Sequence, residues 1–243
     1  NAGGFLLTKI LVQPDDKFLL VGAFTVKDSP RKDLVRFNAN GTPDANFNLT
    51  LVPAIPDQTP ADFMQGIGLQ PDNKILLSGF FTRVNGEAIE DLVRLLPDGS
   101  VDKTFTGAIL GGIHTFAFQP DGKILIAGLF NYNSDQSYVL ASLHPNGSFD
   151  TTFDAVEEHD PGHTTYFNFI KSMHLLPDGK ILIAGFIHKI NGIDKVAPLV
   201  RLHAGGTLDN TFNYQLSFTA FNSFRVLPFG ILVTGTFNKT VGG

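Results

Sequence analysis

Large apolar residues recur at every second position just ahead of five prolines, as Ile10/Val12, Ile67/Leu69, Phe116/Phe118, Met173/Leu175 and Phe224/Val226. Alternation with period two predicts strands. The positions between are mostly small or polar, including Gly66, Gly68, Thr115, Ala117, Ser172 and Ser223, as expected where strands crowd near an axis. Past each proline a short turn leads to a nearly continuous apolar run such as residues 124–130, which predicts a strand buried on both faces. A third run, at 34–37, 92–95, 139–143 and 199–202, enters an Asn-Gly, Asp-Gly or Gly-Gly pair. That pair is a strong hairpin signal, so the run predicts a third strand, and the Asp-x-x-Phe segment beyond the turn a short fourth.

The pattern is a repeat. One block reads QPDDKFLLVGAFT from Gln13, QPDNKILLSGFFT from Gln70, QPDGKILIAGLFN from Gln119, LPDGKILIAGFIH from Leu176 and a shortened LPFGILVTGTFN from Leu227. A second reads NGTPDANF from Asn40, DGSVDKTF from Asp98, NGSFDTTF from Asn146 and GGTLDNTF from Gly205. Pro14, Pro71, Pro120, Pro177 and Pro228 are 57, 49, 57 and 51 residues apart. Four antiparallel strands per repeat, arranged around a circle, manage exposed sheet edges as a propeller does. The alternative, an open solenoid, normally has shorter all-β units and fewer hairpin turns. The expectation is an all-β fold: a β-propeller of about five four-stranded antiparallel blades in one domain over residues 1–243. The repeats lie near 8–63, 64–112, 113–169, 170–221 and a partial 222–243, with the last blade incomplete in what reads as part of a longer polypeptide. Glycine recurs in the second strand at Gly22, Gly79, Gly128, Gly185 and Gly235, read as a packing position and not a ligand contact. Phe47, Phe105, Phe153 and Phe212 are expected to pack between blades.

In these two blocks the chain resembles the delta-60 repeat family, most closely over residues 98–105, 119–128, 146–153 and 176–185. Asp16 and Asn73 stand where that pattern has a turn glycine, and Phe229 replaces an aspartate in the fifth copy, which also lacks the lysine. The resemblance implies β-propellers within large secreted or surface-displayed bacterial chains, and a secreted or cell-surface location. It carries over no catalytic residues.

Composition narrows the function. Eighteen basic and 23 acidic residues give a net charge of −5 with no basic run, so nucleic acid is not an expected partner. The absence of cysteine excludes disulfides, thiolate zinc sites and a cysteine nucleophile. No apolar run approaches the roughly 18 residues that a spanning helix needs, so membrane insertion is not expected.

Variation is where a scaffold carries recognition. The spacing from the Asp-x-x-Phe phenylalanine to the next proline is 24, 15, 24 and 16 residues, so the connections at 48–63 and 154–169 are long. They supply the candidate ligand-binding residues Asp57, Asp62, Glu157, Asp160, His163 and Tyr166. Residues 154–166 also hold Asp154, Glu158 and His159, and a carboxylate-imidazole mixture suits a divalent metal. The i, i+4 pair His159/His163 needs a helix, however, and Pro161-Gly162 opposes one, so neither metal nor cofactor is expected. Asp44, Asp102, Asp150 and Asp209, and Asp15, Asp72, Asp121 and Asp178, are read as turn-forming aspartates and not calcium ligands. His114 and His174 are read as structural, since no carboxylate or nucleophile recurs beside them. The sequons at Asn40 and Asn146 coincide with hairpin turns, which explains them without glycosylation. The function expected is a non-enzymatic surface module for protein or glycan recognition, in adhesion or surface assembly, alongside other modules of a longer polypeptide. Two alternatives stand beside it: a structural spacer in a filament or fibre, and a glycan-active hydrolase or lyase with its site over the central channel.

Overall fold

The computed structural model describes residues 6–24, 32–58, 63–107, 109–132, 137–154, 156–157, 169–190, 193–212, 217–227 and 230–238. The described residues are almost entirely strand and turn, and the chain divides into two compact units, Asn1–Ile113 and His114–Gly243.

In the first unit, β1 (Leu6–Val12), β2 (Phe18–Phe24) and β3 (Lys32–Phe37) form one antiparallel sheet in chain order. A second sheet joins β5 (Met64–Leu69), β6 (Ile75–Gly79) and β9 (Leu92–Leu95). A third joins β4 (Leu51–Pro53), β7 (Phe81–Val84) and β8 (Glu87–Ala88). In the second unit, β10 (Ile109–Phe118, which starts in the first), β11 (Ile124–Tyr132), β12 (Ser137–Leu143) and β13 (Val156–Glu157) form one sheet. Next come β14 (Phe169–Leu175), β15 (Ile181–Ile190) and β16 (Ile193–Leu202), then the pair β17 (Ser217–Leu227) and β18 (Gly230–Asn238).

The continuous apolar runs are buried on both faces, as their pattern predicts: Ile75, Leu76 and Leu77, Ile124 to Ala127, and Ile181 to Ala184 are all 0% exposed. Neighbouring sheets pack through them. Leu19 and Val21 of β2 meet Ile75 and Leu77 of β6, and Leu125 and Ala127 of β11 meet Ile181 and Ile183 of β15.

The turns follow the sequence closely. At the first hairpin of the second sheet the Asn73 amide donates to the Gln70 carbonyl at 2.9 Å and the Gln70 amide to the Lys74 carbonyl at 2.8 Å. This is a type I turn closed by a left-handed residue. Gly122 and Gly179 fill that left-handed place at φ 83° and 80°, and Asp16 and Asn73 take it at 59° and 65°. Short polar side chains tolerate this conformation, which explains both departures from the glycine pattern.

The close-packing glycines are there for backbone proximity. A Cβ on Gly79 would run into the Phe63 carbonyl oxygen and lie 2.9 Å from Met64 Cα; on Gly185 it would strike the Phe169 carbonyl oxygen. Each faces a bulge in its partner strand, where the register skips at Met64/Gly66 and Ile170/Ser172.

The fourth strand differs from expectation. The repeat sheets of the first, second and fourth copies have three strands, and the Asp-x-x-Phe segment contributes only isolated bridges, Phe37 to Pro43, Leu95 to Val101, Leu143 to Phe149 and Leu202 to Leu208. The reason is the aspartate that follows each bridge: its side chain folds the backbone into a turn before a ladder can extend. In the third copy a fourth strand does form, but from Val156–Glu157, beyond that segment.

Candidate functional site

The eight recurring aspartates fall in turns. Asp15, Asp72, Asp121 and Asp178 accept the amide of the lysine two residues on, at 3.3, 3.3, 3.1 and 3.1 Å. Asp44, Asp102, Asp150 and Asp209 likewise accept the amide two residues on through Oδ1, at 3.0, 2.9, 3.0 and 2.9 Å. Their second oxygen does more. Asp102 Oδ2 accepts from Arg94 Nε at 2.9 Å and faces Lys74 Nζ at 3.4 Å. Asp44 pairs with Arg36 at 2.9 Å and Lys17 at 3.0 Å, Asp209 with Arg201 at 2.8 Å and Lys180 at 3.0 Å, and Asp150 with Lys123 at 2.8 Å. The guanidinium groups of Arg36, Arg94 and Arg201 lie 4.5, 4.7 and 4.8 Å above the rings of Phe47, Phe105 and Phe212. Burial pushes the carboxyls of Asp102 and Asp150 up. For Asp102 the hydroxyl and amide of Thr104 with Arg94 outweigh it, and for Asp150 Lys123 with Thr152, holding each at about 2. These anions are structural, and their ion pairs occupy the oxygens that a metal would need.

The His114 ring lies 6.0 Å from that of Phe169, and the His174 ring edge-on at 6.3 Å from that of Phe224. Asn40 Oδ1 accepts the Thr42 amide and hydroxyl, and Asn146 Oδ1 those of Ser148, so both sequon asparagines belong to turns.

The first long connection is not a free loop. Its residues 51–53 form β4, paired as Leu51 to Val84, Val52 to Arg83 and Pro53 to Phe81. The Ala54 amide adds a bond to the Phe80 carbonyl at 2.8 Å, and Asn85 Oδ1 accepts the Thr50 amide at 3.0 Å. Asn85 and Gly86, both left-handed at φ 50° and 84°, close the β7–β8 hairpin. Phe81 and Val84 are 0% exposed and root this small sheet in the core of the first unit. Its outer side displays Val52, Ile55 and Phe80, which are 40, 60 and 42% exposed, with Asp57 on the surface in a left-handed turn at φ 63°. This ledge was missed by sequence reasoning; the Asn85-Gly86 pair, read as a hairpin, would have found it.

Beside β8 opens a cleft of about 360 Å³ whose lining includes Ile89, Glu90, Arg94, Phe105 and Leu110. Its wall is tightly bent: Asp91 is left-handed at φ 57° and the Leu92 amide donates to the Glu90 carbonyl at 2.6 Å. Asp91 accepts the Gly111 amide at 2.9 Å. Burial, opposed by that bond and reinforced by Glu90, leaves its carboxyl above the ordinary value.

Of the six predicted ligand-binding residues, Asp57 lies on the ledge and Glu157 falls in β13. Asp62, Asp160, His163 and Tyr166 lie outside the described residues, as does His159.

The family model described as a domain of unknown function (DUF5122), beta-propeller, matches residues 13–47, 70–105, 119–153 and 176–212. Each segment ends at the phenylalanine after the turn aspartate, and together they cover more than half of the chain. No curated protein matches. Among solved structures the chain is similar to the extracellular domain of a B. thetaiotaomicron protein assigned as a one component system, with 12% identity and a TM-score of 0.39. The likeness covers 96% of this chain and 31% of that one, so the chain spans less than a third of that protein's length.

Proposed function

This chain belongs to the DUF5122 β-propeller family, and we propose that it is a non-enzymatic recognition module of a secreted or cell-surface protein, serving adhesion or surface assembly. The observation that carries this reading is the ledge. Here the first long connection adds a strand, β4, to the β7–β8 hairpin, and the resulting hydrogen-bonded sheet holds Val52, Ile55 and Phe80 in solvent. An exposed apolar group fixed on a rigid support, with carboxylates such as Asp57 and Glu90 nearby in sequence and fold, suits a protein surface or the apolar face of a sugar ring. Ordering it in advance lowers the entropy lost on binding.

The cleft supports the same conclusion against a glycan-active enzyme. A hydrolase of the usual kind needs a carboxyl kept protonated near neutral pH opposite a second carboxylate. Of the carboxylates lining the cleft, Asp102 is held at about 2 by the Thr104 hydroxyl and amide together with Arg94, the wrong direction for a general acid.

The test is direct binding of the purified chain to a panel of extracellular-matrix proteins and surface polysaccharides by biolayer interferometry, with Ile55→Asp and Phe80→Asp in parallel. A ligand bound by the native chain and lost by both variants supports the reading. Ligands bound equally by all three, or none at all, would overturn it and favour the spacer.

A further inference from the structure

The cleft beside β8 lies wholly within the first unit, and its volume of about 360 Å³ is that of a small ligand site. Its lining combines apolar groups, Ile89, Val101, Phe105 and Leu110 among them, with three charged residues, Glu90, Arg94 and Asp102. Two of the three are committed to each other. Arg94 Nε donates to Asp102 Oδ2 at 2.9 Å and Nη2 to the Thr104 hydroxyl at 3.2 Å, and the guanidinium covers one face of Phe105. Both side chains are buried, so the pair offers a ligand no net charge.

Glu90 differs. It is exposed, and its carboxylate makes no hydrogen bond or ion pair with another described residue. Asp91, whose carboxylate accepts the Gly111 amide at 2.9 Å, adds a second negative charge beside it. The nearby cations are engaged elsewhere: Lys103 pairs with Glu87, and Arg83 donates to the Gly86 carbonyl at 3.1 Å. An uncompensated carboxylate above apolar walls selects a cation with an apolar stem and repels an anion. A lysine side chain has that form, because its methylenes lie along apolar surface while the ammonium stays at the polar edge.

The backbone ties this carboxylate to the ledge. The Asp91 amide donates to the Phe81 carbonyl at 3.3 Å, and the Gly79 amide to the Asp91 carbonyl at 2.9 Å. The exposed Phe80 therefore stands between two residues bonded to the chain neighbour of Glu90. Resting on the recognition role proposed above, we infer that the cleft takes the side chain of an exposed lysine on a protein partner. The ammonium meets Glu90, the stem lies along Val101 and Leu110, and an apolar neighbour of that lysine sits on Phe80. A polysaccharide without amino groups has nothing to place on Glu90.

The test is an NMR titration of the isotope-labelled chain with N-acetyl-lysine methylamide, with its uncharged analogue N-acetyl-norleucine methylamide, and with the free diamine cadaverine. The lysine probe should shift the amides of Glu90, Val101 and Leu110 and few others. Glu90→Gln should weaken its binding about fivefold, the effect of one exposed charge pair. Ala88→Trp, at an exposed position in the lining, should abolish it. Norleucine binding as tightly as lysine, or shifts that persist unchanged in Glu90→Gln, would overturn the proposal. Cadaverine binding more tightly than the lysine probe would overturn the protein source in favour of a free amine. For a protein captured from the panel above, acetylating its lysines should cost at least fivefold in binding, and capture that survives acetylation overturns the proposal as well. The recognition role fails separately, when no panel ligand is lost by Ile55→Asp and Phe80→Asp with Glu90 intact.

Discussion

Replacing Asp102 with asparagine isolates the charge at one node of the ion-pair frame. Asparagine keeps the shape and an acceptor oxygen for the Thr104 amide, while Arg94 and Lys74 lose the anion they face. Burial alone would raise this carboxyl. The Thr104 hydroxyl and amide and the Arg94 guanidinium reverse the effect, bringing it from 3.8 to about 2. At about 1.4 kcal/mol per pH unit, that displacement contributes roughly 2.5 kcal/mol at neutral pH. The variant also leaves Arg94, whose side chain is 5% exposed, without its buried counter-charge; breaking such a pair costs about 3 to 5 kcal/mol, which sets the upper limit. The folded value lies below the unfolded one, so the stabilisation is full above about pH 4 and is lost as the pH falls toward 2, with about half remaining near pH 3. The chain has no tryptophan, so urea unfolding is best followed by circular dichroism at pH 7, 5, 4 and 3. The expected gap between native and variant is about 2.5 to 5 kcal/mol at pH 7, narrowing by more than 1 kcal/mol at pH 3. A gap below 1 kcal/mol at pH 7, or one that does not change with pH, would refute the reasoning.

Two further substitutions probe the frame elsewhere. Gly185→Ala places a methyl against the Phe169 carbonyl oxygen with only backbone to move, so it should cost about 3 kcal/mol or more by denaturant midpoint, well beyond the roughly 1 kcal/mol by which alanine ordinarily favours a strand over glycine. Gln70→Leu removes a buried amide whose Oε1 meets no protein donor and installs the residue that the fourth copy carries there as Leu176; the melting temperature should rise, by the equivalent of up to about 1 kcal/mol.

How much of this was legible in the sequence depended on whether the cause was local. The Gln-Pro-Asp turn, its left-handed fourth residue and the aspartate side chains act within four residues, so spacing alone revealed them. The runs buried on both faces were equally plain, because a strand such as 124–127 has no polar side to turn to water. The fourth strand was overread. Asp-x-x-Phe looks like the return arm of a hairpin, but the same aspartate oxygen that accepts the amide two residues on bends the chain out of register. The ledge was missed because its pairing joins residues 51–53 to 81–84, about thirty positions away, and only the Asn85-Gly86 turn lies in local sequence. The ion pairs were missed for a similar reason: Lys17, Arg36 and Asp44 sit in separate elements, and only the folded register brings them together.

The third copy shows what each part of that frame does. Ser142 stands where the others have Arg36, Arg94 and Arg201, and its buried hydroxyl meets no protein partner. Asp150 is nevertheless held at about 2, with Lys123 at 2.8 Å and both the amide and the hydroxyl of Thr152 on its other oxygen. The arginine is therefore not needed to keep the aspartate ionised. Its separate role is to cover the phenylalanine that closes the repeat, 4.5 to 4.8 Å from the ring centre in the three copies that have it. In the third copy, which lacks the arginine, Tyr132 and Tyr138 gather around Phe149, four residues before the closing Phe153, at 4.4 and 5.3 Å. Lysine and aspartate fix the turn, whereas the arginine can be dispensed with. A scaffold divided in this way tolerates insertions between its second and third strands, because the turn chemistry that registers each sheet lies at the opposite end of those strands. The ledge of the second copy uses that end of the strands without lengthening it: Gly79 and Leu92 are 13 positions apart, against 12 for Gly22 and Leu34 and 14 for Gly185 and Leu199.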